Sequence, residues 1–177
     1  MLLRMAYVGL LAGGVACGGK AVIDADGTGG GSGGTTGTTS SGPPAIAPQI
    51  VSAWAGGNCM PVYPDDPVSA GFEVAYDNSA GTSVVTATIA SARLAFQCGA
   101  GCTPPLWAFL VTPPGSGALS PGVSVVLDHT KTAGSGSGTA ANPCNYCGSD
   151  LVLEVVWDVD GATADASYGP FGYSCAF

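Results

Sequence analysis

Side chains capable of chemistry are few in this chain of 177 residues, which holds seven cysteines, one histidine, and twelve acidic against four basic residues. The lone His129 excludes any site that needs two histidines. As the base behind a serine or cysteine nucleophile it would need a carboxylate orienting it. Its neighbour Asp128 would point to the opposite face of a strand, so His129 reads as a solvent-exposed loop residue. Gly30-Gly31-Ser32-Gly33-Gly34 matches the G-x-S-x-G hydrolase elbow in form, and Gly29, Gly31 and Gly34 match a dinucleotide loop. Both motifs need a strand before and a helix after, and a glycine tract offers neither. No catalytic residue and no cofactor is assigned, and the chain is expected to be non-enzymatic. Carboxylates gather at Asp65-Asp66 and in Asp158-Val159-Asp160-Gly161. Asp158 and Asp160 share a strand face and are weak calcium candidates. Calcium takes six or more oxygens and this turn supplies about three, so solvated turn carboxylates are the simpler reading.

Cysteine is the richest chemical resource. The run Met5 to Ala16 is apolar, follows Arg4, and ends in small residues before Cys17. It is too short to span ~30 Å of hydrocarbon, which takes about 20 helical residues, and has the form of an export signal. In Gly14-Val15-Ala16-Cys17-Gly18 the chain resembles bacterial lipoproteins, whose signal places a small residue before an acylated cysteine. The resemblance covers about a tenth of the chain and implies that Cys17 carries the lipid after residues 1–16 are removed. It further implies a cell-envelope location; Gly18, which is not aspartate, points to the outer membrane or cell surface. Gly14-Val15-Ala16 also fits ordinary signal cleavage, which would leave a secreted protein.

Setting Cys17 aside leaves Cys59, Cys98, Cys102, Cys144, Cys147 and Cys175. In an oxidising compartment these are expected to be disulfides, and six cysteines allow 15 pairings. A Cys59–Cys175 bridge would staple the first and last segments of the body, leaving the other four to fasten two neighbouring loops. The rival is a zinc knuckle built from Cys98-x3-Cys102 and Cys144-x2-Cys147.

From Asp24 to about Pro48 the chain is mostly Gly, Ser, Thr and Pro and offers almost nothing to a core. Residues 17–48 are therefore read as a lipid-anchored spacer, with a random-coil span of about 25–30 Å across its last 25 residues. The body, residues 49–177, alternates with period two. Odd positions from Leu151 to Val159 are apolar, and Phe72, Val74 and Tyr76 alternate with Glu73, Ala75 and Asp77. Val123, Val125 and Leu127 repeat the pattern. The run Ser83 to Phe96 changes phase between Ile89 and Ala92, which predicts a bulge or a split strand. Leu106 to Val111 is apolar on both faces and reads as a central strand. Turn signals fall at Asp77–Gly81, Pro113-Pro114-Gly115 and Asp160-Gly161. An all-β fold follows: a single antiparallel β-sandwich of seven or eight strands, which resembles immunoglobulin-like and fibronectin-type domains in strand count and spacing.

The formal charge of −8 removes nucleic acid from the partners, since phosphate binding needs a positive field. What remains is the bilayer, through acylated Cys17, and a protein or glycan ligand. The favoured reading is an envelope lipoprotein that displays its domain for structural or binding purposes. A carbohydrate-binding module or envelope enzyme using loops at one end is the alternative, and an exposed aromatic row with Asp or Asn nearby would support it. Trp54, Trp107 and Trp157 are each expected in the core, and Tyr146 in an exposed loop between two cysteines.

Overall fold

A computed structural model describes residues 43–60, 65–98, 103–137 and 142–176. The export signal, Cys17, the Gly30–Gly34 window, most of the spacer and Cys102 lie outside the described residues.

The body is all-β. Its strands are β1 (Gln49–Asn58), β2 (Val68–Asp77), β3 (Val85–Phe96), β4 (Leu106–Thr112), β5 (Gly115–Leu119), β6 (Ser124–Ser137), β7 (Asp150–Val159) and β8 (Ala162–Ala176). A 3-10 turn at Pro143–Tyr146 precedes β7. Alternation in the sequence becomes alternation of burial. Leu151, Leu153, Val155, Trp157 and Val159 all face inward, as do Phe72, Val74 and Tyr76. The phase change in β3 is a register shift between Ile89 and Ser91. Asp160 and Gly161, both at positive φ, make the two-residue turn joining β7 to β8, where only residues tolerant of that backbone region serve well.

Two separately packed sheets are not what these strands build. Strand β4 pairs with β6 on one side and β3 on the other. The ladder therefore closes through β4-β6-β2-β1-β8-β7-β3 into a seven-stranded barrel, with β5 continuing along the free half of β3. Period-two burial is common to sandwiches and barrels. What decides between them is curvature, and register shifts at Ile50/Ser52, Ile89/Ser91, Leu110/Val111 and Leu151/Leu153 supply it. Pairing is antiparallel except between β1 and β8, which run parallel from Ala55↔Tyr173 to Asn58↔Ala176.

Two further readings are corrected. Ile46 is buried in the core, so packed side chains begin before Gln49, the expected start of the body. Strand β4 is central in the ladder, yet its outer face is uncovered: Leu110 is 70% exposed. Its apolar outer residues therefore do not signal burial on both faces.

Candidate functional site

Three groups of side chains remain once the packing is accounted for, and each begins with a residue that the sequence placed elsewhere.

The first lies inside the barrel. His129 is 1% exposed, against the expectation of a loop histidine, because its position on β6 continues the inward set Val125, Leu127. The ring stacks on Phe72 with centroids 5.2 Å apart. Its Nδ1 lies 2.7 Å from the Pro113 carbonyl oxygen and its Nε2 3.0 Å from the Tyr76 hydroxyl. A carbonyl only accepts, so Nδ1 carries the proton and Nε2 accepts from Tyr76. Tyr76 in turn accepts from the Trp157 indole N–H at 3.2 Å. The chain Trp157→Tyr76→His129, with His129→Pro113, satisfies each of these groups in the neutral state and is a structural network rather than an exposed base. Burial pushes the His129 pKa below its ordinary value, outweighing the Pro113 carbonyl and the Asp128 charge, which act the other way. A proton on Nε2 would also leave the Tyr76 O–H without its acceptor. The unfolded chain thus binds the proton more readily, and stability falls as pH drops below about 6.5. Urea midpoints measured from pH 8 to pH 5 are expected to decline over the acid half of that range. A His129→Gln variant should show a flatter profile; an unchanged slope would remove His129 as its cause.

The second group is the cysteines. Cys59 is bonded to Cys144 and Cys147 to Cys175, correcting the expected Cys59–Cys175 bridge. The parallel β1–β8 pairing does bring those two ends together, with the Cys59 N–H donating to the Ala176 carbonyl at 2.9 Å. The 3-10 turn sits beside them and supplies both partners, so the first and last strands are stapled through it. Cys98 is also disulfide-bonded. Tyr146, between the turn cysteines, is half-buried and packs on Phe96 with centroids 5.1 Å apart, contrary to the exposed-loop reading. Of the carboxylates, Asp158 Oδ1 accepts from the Gly161 N–H at 2.7 Å and Asp160 Oδ1 from the Thr86 N–H at 3.1 Å. Asp66 accepts from Lys131 and from the Gly134 N–H.

The third group is on the outer surface. Trp107 and Trp157 are buried as expected, but Trp54 is 54% exposed. In β1 the small residues Ala53, Ala55 and Gly57 face inward, which turns Ser52, Trp54 and Gly56 outward. Trp54 stands opposite Gly71 of β2, and Gly71 opposite Thr130 of β6. A Cβ on Gly71 would lie 2.7 Å from the indole Nε1 and 2.9 Å from Cε2, so the ring lies across the bare glycine. The adjoining row is Ser52, Glu73 and Asp128. Ser52 Oγ donates to Glu73 Oε2 at 2.6 Å. Two carboxylates directly opposite each other repel, and neither forms an ion pair with a cation among the described residues. An aromatic plane beside unneutralised acceptors suits a ligand with an apolar face and several hydroxyl donors.

Sequence reasoning missed Trp54 because both faces of β1 carry small residues, which leaves the inward face undetermined by hydropathy. Gly71 and the Glu73–Asp128 pair come together only through strand register. The chain matches no known family model, and no curated protein or solved structure is significantly similar to it.

Proposed function

We propose that this protein is a non-catalytic binding domain of the bacterial cell envelope. It is moored to a bilayer, at the outer membrane or cell surface, through acylated Cys17, and it presents the Trp54–Glu73–Asp128 face to a neutral glycan. The observation that carries the reading is the exposed indole laid over Gly71 beside two uncompensated carboxylates. An aromatic face packs against the C–H side of a sugar ring, while carboxylates accept from its hydroxyls. The net charge of −8 selects uncharged polymers over acidic ones. Mooring is supported by the order of segments along the chain: apolar leader, cysteine, glycine-rich spacer, disulfide-braced body. Acyl chains contribute ~0.8 kcal/mol per buried CH₂, and two or more hold firmly.

The test is retention of the full chain on a panel of neutral polysaccharides. Trp54→Ala should weaken retention at least about tenfold, or ~1.4 kcal/mol, with little change in thermal stability because the side chain is half in solvent. Gly71→Ala should do the same by lifting the indole. Its φ lies outside the left-handed region, and the three atoms nearest the added Cβ all belong to the indole. Cys17→Ser should release the chain from the membrane fraction and leave glycan retention intact. Equal retention by Trp54→Ala and the parent, or retention by no neutral glycan, overturns the glycan face. An unchanged membrane fraction overturns the mooring.

A further inference from the structure

The two described disulfides are not separate staples. Cys59 Sγ lies 3.7 Å from Cys147 Sγ across the gap between them, and the sulfurs of Cys59, Cys147 and Cys175 all fall within 4.8 Å of one another. With Cys144 bonded to Cys59, four sulfurs from three elements occupy one half-buried spot: the end of β1, the 3-10 turn and the end of β8. A tetrahedral zinc tetrathiolate with bonds of about 2.3 Å has sulfur–sulfur edges of about 3.8 Å. The unbonded Cys59–Cys147 separation already has that length. Cys144-x2-Cys147 on a tight turn supplies two ligands at knuckle spacing, and the strand ends supply the other two.

We propose that the reduced protein binds one zinc-like soft divalent cation through Cys59, Cys144, Cys147 and Cys175, so that the same four residues serve as a double disulfide when oxidised and as a metal site when reduced. The chemistry balances with a dithiol as reductant. Each protein disulfide takes two electrons and two protons from one dithiol, which closes to its own disulfide. The four resulting thiols release four protons as the cation binds. Oxidation reverses both steps and expels the metal.

A neighbouring group fits this second state. The Tyr173 hydroxyl is buried and has no hydrogen-bond partner, and it borders the same point above Gly57 as Cys175 Sγ. Disulfide sulfur is a weak acceptor, whereas a metal-bound thiolate accepts well. An open depression beside Cys147, Gly148, Tyr173 and Cys175 admits reductant and ion from solvent.

The test is anaerobic titration of the full chain, reduced with a non-coordinating phosphine, with cobalt(II) and then zinc(II). One cobalt per chain with the intense visible spectrum of a tetrahedral thiolate site, displaced by one equivalent of zinc, is expected. The spectrum should persist in a Cys98→Ser/Cys102→Ser variant, and Cys144→Ser should weaken binding by at least about tenfold, the cost attached even to losing a partner behind the ligands. Where reduction alone unfolds the chain, zinc should restore its far-ultraviolet strand signature. No saturable thiolate spectrum, no recovery of fold, or a spectrum that depends on Cys98 and Cys102 overturns the proposal.

Discussion

Removing the Cys59–Cys144 bridge by a Cys59→Ala/Cys144→Ala double substitution is expected to cost about 4–5 kcal/mol, and removing Cys147–Cys175 the same way about 3–4 kcal/mol. The difference follows from loop length. The first bridge spans 85 residues of sequence and the second 28, and the entropy that a crosslink removes from the unfolded chain grows with the logarithm of that span. The two loops follow one another without overlapping, so each restricts a different part of the unfolded chain. Urea midpoints of the oxidised parent and the two variants give the comparison directly. A larger loss from the shorter loop would show that strain or residual structure, rather than chain entropy, sets the contribution.

Trp157→Ala should be the most damaging single substitution in the core, at about 3–5 kcal/mol. The indole is fully buried and sits between Ile89 of β3 and Ala164 of β8 in the cross-strand register. Alanine would leave a large void among strands fixed by closure, which limits collapse around it. Trp157→Phe is the milder test. It keeps a six-membered ring, loses three ring atoms and deletes the N–H donated to Tyr76, so a loss of about 1–3 kcal/mol is expected, below that of alanine. Comparable losses from the two variants, read from thermal and urea unfolding, would assign the effect to the polar network instead.

Much of the strand content was legible because one-sided burial imposes period two on the sequence. The inward set of β7, the bulge in β3 and the Asp160-Gly161 turn all follow from residue order alone. Closure was not legible. It depends on β4 finding partners on both sides, and alternation carries no information about a strand's second neighbour. His129 was misplaced for a related reason: a polar side chain inside a barrel is satisfied by Tyr76 and Pro113, which lie far away in sequence. Disulfide partners likewise depend on the 3-10 turn lodging beside two strand ends. The outer surface was the least legible part, since Gly71 acquires meaning only through Trp54 resting on it.

The Cys59–Cys144 and Cys147–Cys175 bridges gather at one end of the barrel. Strand β1 starts at Gln49 and reaches the sulfur cluster only at Cys59, just past its far end. A pull on the amino-terminal side first draws out Ile46 and then peels β1 from the Gln49–Ala75 rung onward, one rung at a time. Weak rungs broken in sequence yield at low force, but the peeling halts at Cys59, where the chain is bonded to the rest of the body. The fold thus has a soft end that gives way gradually and a hard stop that keeps a stretched molecule from unravelling.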